Sequence, residues 1–330
     1  MIIDCHGHYT TAPDALWAYR ANQIASQGRP VKGTLNVSDE QIKTSLEKSQ
    51  LAKQKERGTD VSFFSPRASW MGHHFGGELI SRYWTETNNE LINRVCKLFP
   101  ESFVGVCQLP QSPGVNPKNC IEELERCINE FGFVGCNLNP DPSGGMEPSP
   151  SLGDEWWYPV YEKLVELDVP AMIHVSASVN PALSTTGTYY INSDTAATLQ
   201  LLESTVFDDF PTLKIIIPHG GGAVPYQLGR YRGINEMLKR ERFEEQIKKL
   251  YFDTAVYSQA GVEVLLKTLG VDNVLFASEM VGAVNAIDPD TGRWFDDTKP
   301  YLDGIDWLTD EDRQKLFEGN VRKVFTRLKI

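Results

Sequence analysis

The chain opens on an apolar pair, Ile2-Ile3, followed at once by Asp4-Cys5-His6-Gly7-His8. In an extended strand alternate side chains share a face. His6 and His8 therefore point the same way, one pleat apart, with Asp4 on that face too. Two imidazoles at i and i+2 can hold one metal ion. Far downstream Phe276-Ala277-Ser278-Glu279 ends another apolar run, His174 follows Ala171-Met172-Ile173, and His219 precedes Gly220-Gly221-Gly222. These residues predict a metal centre with His6, His8 and His174 as nitrogen ligands. Glu279 is expected as the oxygen ligand or as the base beside a bound water. Imidazole and carboxylate suit zinc, which keeps a water when the protein supplies three or four ligands. One Zn2+ per subunit is expected, with Mn2+ or another divalent ion tolerating similar ligands. Each residue also has a plainer reading: a satisfied core histidine for His174, a helix cap for His219, a surface charge for Glu279. Their joint placement at separate strand ends favours the metal.

The elements that must carry these residues follow from the hydrophobic pattern. Short apolar runs at 2–6, 61–65, 103–109, 133–139, 171–176, 214–218, 251–256 and 274–278 read as eight strands. Helical patterns separate them, among them 39–56, 85–98, 119–130, 156–166, 194–207 and 310–327. Ser38 with Gln41, and Thr309 with Asp312, read as helix N-terminal boxes. Strands alternating with helices imply a parallel sheet, and eight such units imply an α/β fold of the closed (β/α)8 TIM type. No G-x-G-x-x-G fingerprint follows the first strand, which weakens a dinucleotide-binding fold. One domain, 1–330, is expected, with long loops at 9–37, 67–84, 141–155 and 280–308 on the C-terminal face of the strands. Active sites of such barrels sit on that face.

Composition narrows the function. A formal net charge of −12 argues against a nucleic-acid partner. No apolar stretch reaches the ~18 residues of a membrane span, and no basic-then-apolar leader opens the chain. Six cysteines without zinc-finger spacing read as reduced, packed thiols of a cytoplasmic protein. Cys5 and Cys107 read as packing.

With these residues in view, the chain resembles the amidohydrolase superfamily, in its amidohydrolase-2 branch of metal-dependent barrels. Asp4-x-His6-x-His8, His174, His219-Gly220-Gly221, the acid of the eighth strand and the closing Glu318-Gly319-Asn320-Val321-Arg322-Lys323-Val324-Phe325 carry the likeness in the right order. Members of the branch usually end the eighth strand in Gly-Ser-Asp; here it is Ala277-Ser278-Glu279. That glutamate, with 1–13, Phe64-Ser65-Pro66-Arg67-Ala68-Ser69, Gly135-Cys136-Asn137-Leu138-Asn139-Pro140-Asp141-Pro142 and 218–226, is similar to the branch's hydratases of protocatechuate 4,5-cleavage. The resemblance implies a hydro-lyase that adds water to the C=C bond of a tricarboxylate 2-oxo acid in aromatic (lignin-derived) compound catabolism. It also implies a homo-oligomer.

Such chemistry needs a nucleophilic water, a stabilised enolate and a proton delivered to carbon. Glu279 is the expected base and His219 the expected donor to substrate. A small polycarboxylate substrate calls for paired donors. Arg67 directly follows a strand end, and Ser69, His74, Tyr189 and Tyr190 sit on loops able to close over a pocket. Arg230 and Arg232 lie beyond the glycine run and serve their own site, a neighbouring subunit's, or only surface salt bridges. His73, beside His74, is the weaker of that pair. The alternative enzyme is a non-oxidative decarboxylase of an aromatic or unsaturated acid from the same branch. Hydrolysis of a lactone or amide lacks its bridging lysine on the fourth strand, and a scaffold barrel with a structural metal does not explain ligands spread from residue 6 to residue 279.

Overall fold

Each of the eight apolar runs becomes a strand, because β-branched and aromatic residues fit a pleated, buried surface. The computed structural model describes residues 1–26 and 28–330. Its strands are β1 (Ile3–Asp4), β2 (Val61–Phe64), β3 (Phe103–Gln108), β4 (Gly135–Leu138), β5 (Ala171–Ile173), β6 (Ile215–Ile217), β7 (Tyr251–Asp253) and β8 (Val274–Leu275). They pair in parallel in chain order. Two backbone hydrogen bonds draw β8 against β1: Cys5 N–H to the Phe276 carbonyl and Glu279 N–H to the His6 carbonyl, both 3.0 Å. The expected (β/α)8 barrel is therefore present as one domain.

The strands are shorter than the apolar runs that predict them. The last residues of the runs leave the ladder and turn into the barrel mouth, so His6, His174 and Glu279 all lie past the last laddered residue of their strand. Inside the barrel, Ile3, Phe63, Val106, Met172, Ile216 and Leu275 form a buried core. Its floor comes from the chain's end: Val321, Val324 and Phe325 pack into the same cluster, and Phe325 meets Phe63 edge-on at 4.6 Å. Asn320 ties this plug to the β8 segment through the Val271 and Val274 carbonyls, both at 2.7 Å.

Several helices differ from the periodic pattern. The helix expected over 39–56 is two, Asp39–Glu47 and Gln50–Arg57, broken where Ser49 leaves helical geometry at φ −131°, ψ −98°. The one expected from 85 begins earlier, at Gly77. That expected over 194–207 runs Tyr190–Leu202 behind a π-turn, Thr185–Tyr189, and a separate turn follows at Val206–Asp209. The closing helix is divided by a second π-turn, Lys315–Gly319. Apolar periodicity cannot see such register changes, because a π-turn inserts one residue without interrupting the apolar face. Both N-terminal boxes are present, at Ser38/Gln41 and Thr309/Asp312. Among the described residues no helix is long and apolar enough to cross a membrane.

Of the long loops, 9–37 contains a helix, Ala15–Ala25. Its buried Arg20 donates to the Met71 and Gly72 carbonyls and stacks on Trp84, anchoring the segment after β2.

Candidate metal centre and its mouth

His6, His8, His174 and Glu279 converge at the C-terminal mouth, all buried, with one ligand atom of each lying within 4.8 Å of the others. The three Nε2 atoms are 3.1 Å (His6–His8), 3.1 Å (His6–His174) and 2.8 Å (His8–His174) apart. Gly7 makes this approach possible, since a Cβ there would stand 2.6 Å from the Phe63 carbonyl oxygen of β2.

The opposite ring edges show what those nitrogens carry. His6 Nδ1 lies 2.8 Å from Asp253 Oδ2, and His8 Nδ1 2.8 Å from Ser65 Oγ. A carboxylate can only accept, so His6 holds its proton on Nδ1 and turns a lone pair inward. The Ser65 hydroxyl donates to the Gly7 or Pro66 carbonyl and accepts from His8. Three inward nitrogens about 3 Å apart, with at most a single proton to share, repel one another unless a cation lies between them. Nitrogens held about 2.0–2.1 Å from a tetrahedral zinc lie roughly 3.3 Å from one another, close to what is seen. Burial pushes the His8 imidazole down to about 3 and His174 well below its ordinary value, keeping both in the neutral form that binds metal. The donor set thus fits a divalent cation.

Around it stands a ring of proton-handling groups. His219 Nδ1 lies 2.8 Å from Asp194 Oδ2, while its Nε2 faces Glu279 Oε2 at 3.7 Å and has no hydrogen-bond partner. Burial lowers the His219 imidazole's proton affinity, but the Asp194 and Glu279 carboxylates outweigh it and raise it well above the ordinary value. Burial lifts the Asp194 carboxyl to about 6 against the pull of His219. Glu279 is held below the ordinary carboxylate range: burial raises it, and His219, His6 and His8 overcome that. The Tyr257 hydroxyl donates to Glu279 Oε2 at 2.6 Å. His219 and Glu279 both stand at positive φ, 51° and 53°, a conformation costing roughly 1–2 kcal/mol for a residue with a Cβ.

Tyr190 packs against this centre. It is buried, stacks on His219 at 5.2 Å, meets His174 edge-on at 5.5 Å, and is within hydrogen-bonding reach of Ser69. Arg67 donates from Nε to Ser69 Oγ at 3.1 Å and lies over the Trp70 ring. Arg67, Ser69 and His74 line a cavity of about 720 Å³ with Trp70, Phe75 and Met146. The 67–84 and 141–155 loops both contribute, as expected. The stretch carrying Val179, Thr185 and Thr186 also lines the cavity and was not singled out from the sequence.

The remaining residues are placed as follows. His73 is buried and bonded to Ser81. Tyr189 donates to Asp141 and so braces a loop. Arg230 is exposed on the helix Leu228–Leu238, beside Gln227, and does not line the cavity, and Arg232 pairs with Glu244. Asp194, Asp253, Ser65 and the Tyr257 contact were not predicted as site features. The only signal for Asp253 is an acid inside the apolar run of β7, and Asp194 reads from sequence as a helix start.

A family profile described as Amidohydrolase matches residues 3–327. The chain is 54% identical over 331 residues to the 2-keto-4-carboxy-3-hexenedioate hydratase of Sphingobium sp. (strain NBRC 103272 / SYK-6), covering 99% of this chain and 97% of that one. It superposes on the crystal structure of 4-oxalomesaconate hydratase from Rhodopseudomonas palustris with a TM-score of 0.91 and 50% identity, over 99% of this chain and 96% of that one. The gamma-resorcylate decarboxylase of Polaromonas sp. (strain JS666 / ATCC BAA-500) is more distant: 29% identical over 262 residues, with 72% of this chain and 74% of that one covered.

Proposed function

This chain belongs to the amidohydrolase family, and from that membership we propose that it is a metal-dependent hydro-lyase that adds water across the C=C bond of 4-oxalomesaconate, giving 4-carboxy-4-hydroxy-2-oxoadipate. The likeness to two hydratases along nearly its whole length supports this substrate. The observation that carries the chemistry is the pairing of Glu279 with His219 across 3.7 Å. Hydration takes one proton from water and gives one to carbon. A carboxylate and a partnerless imidazole nitrogen at one mouth provide for both.

His6, His8, His174 and Glu279 would hold one divalent cation, and we favour zinc, with manganese the next choice, from the imidazole-rich donor set. Such an ion supplies Lewis-acid polarisation and lowers the pKa of a water it binds from 15.7 to about 7. Glu279 takes the proton from the attacking water. His219, held in one tautomer by Asp194, presents Nε2 to the substrate and donates to the carbon or the enolate oxygen. Arg67, with Ser69, His74 and Tyr190, receives the carboxylates. Arg230 is retained as a contact made across a subunit boundary in a homo-oligomer. We further place this single catalytic domain, 1–330, in protocatechuate 4,5-cleavage and in the cytoplasm, the latter on the strength of its free thiols.

The deciding experiment is direct. Purified protein with its metal quantified is given 4-oxalomesaconate, and consumption is followed by absorbance. No consumption at full metal occupancy sinks the substrate assignment. Release of carbon dioxide in place of a hydrated product identifies a decarboxylase.

A further inference from the structure

Six described residues other than glycine stand at positive φ: Asp168, His219, Lys239, Tyr257, Glu279 and Val281. Asp168 and Lys239 are left-handed helix C-caps, an ordinary use of that conformation. The other four gather at the ends of β6, β7 and β8. His219 and Glu279 form the proton-handling pair, and Val281 follows Glu279 by two residues. Tyr257, at φ 58°, follows the end of β7, the strand between them, by four residues. An aromatic residue is a poor choice for a left-handed turn, and such strain persists where the surroundings over-determine it. The left-handed turn brings the phenol to Glu279 Oε2, at 2.6 Å.

The other side of Glu279 is closed as tightly. A Cβ on Gly282 would stand 2.4 Å from the Glu279 carbonyl oxygen and 2.9 Å from its Cγ. The Glu279 side chain is thus confined between a hydroxyl that holds one carboxylate oxygen and a glycine that leaves room for its stem.

We infer that Tyr257 is a positioning residue for Glu279. Its phenol keeps Oε2 on the side facing His219 Nε2, 3.7 Å away, and leaves Oε1 on the imidazole side, 3.9 Å from His8 Nε2. One oxygen would thus be available to a bound metal and the other to proton transfer. The proposal rests on the reading of Glu279 as ligand and base. Partners that orient a metal-binding carboxylate are typically worth 10–100-fold in activity or metal affinity.

The test is Tyr257→Phe in the metal-loaded enzyme, which keeps the ring and the turn and removes one hydroxyl. Expected are a kcat lower by about 10–100-fold, a KM within about threefold, and release of Zn2+ to a competing chelator faster by about tenfold. Gly282→Ala, which crowds Glu279 from the opposite side, should also lower kcat with little change in KM. An unchanged kcat together with unchanged metal release in Tyr257→Phe overturns the proposal, as does a lowered Tm with kcat intact. If the wild-type protein fails to consume 4-oxalomesaconate, the substrate reading falls, while the metal-release comparison still judges Tyr257.

Discussion

The Nδ1 of His219 lies 2.8 Å from the carboxylate of Asp194, which sits on the helix Tyr190–Leu202 that follows β5. The acid therefore approaches from behind, and Nε2 is left free toward Glu279. Asp194→Asn should retain metal but lose its hold on the His219 tautomer and charge. Steady-state kinetics should show kcat lower by about 10²-fold, within the usual range for a positioned acid or base. A kcat within twofold of wild type would remove the Asp194–His219 pair from the mechanism.

Glu279→Gln keeps an oxygen for the metal and deletes the base. Turnover should fall by about 10²–10⁴-fold. Near-normal kcat in a variant shown by elemental analysis to hold its metal contradicts the assignment of Glu279 as base.

Among the described residues Arg67 is the one guanidinium on the cavity lining. Hydrogen bonds to charged groups contribute about 1.5–3 kcal/mol, so Arg67→Met should raise KM roughly 10–100-fold. Unchanged KM strikes Arg67 from the binding residues.

The thiols give a pH prediction that does not rest on the candidate metal ligands. Burial pushes the Cys96 thiol up to about 12, and those of Cys120, Cys127 and Cys136 higher still. A folded-state pKa above the unfolded value means full stability below the unfolded pKa of about 8.5. Above it the unfolded chain ionises first, and stability falls by about 1.4 kcal/mol per pH unit for each such thiol until its folded pKa is reached. Denaturant midpoints should thus drop between pH 8.5 and 10. At pH 8 a thiol reagent should label the native protein slowly and, in denaturant, all six cysteines. Rapid labelling of Cys120 or Cys136 in the native state would contradict this burial.

Much of the molecule is local information. Eight apolar runs separated by helical periods specify eight parallel strands, because backbone period and side-chain alternation are properties of neighbouring residues. The same holds for the capping boxes and for His6-x-His8, whose shared face follows from a two-residue repeat. Closure of the barrel then makes neighbours of His6 and Glu279, and His174, past β5, meets His6 across the mouth, so the candidate ligand set was legible as residues at strand ends. The breaks at Ser49 and at the two π-turns were not legible, since they leave the apolar face continuous.

The amino-acid sequence alone determined the barrel, its candidate metal ligands and the face on which they meet. Tertiary structure alone decided how those ligands are held. Asp253 reaches His6 across 247 positions of chain, and Asp194 reaches His219 across 25. Whether a buried acid meets an imidazole depends on closure of the barrel for Asp253 and on the packing of helix against strand for Asp194, which no local period encodes. The left-handed turns that aim His219, Tyr257 and Glu279 at one another are likewise silent in the sequence: neither Tyr257 nor Glu279 is a residue type that favours positive φ, and the surrounding contacts hold them there.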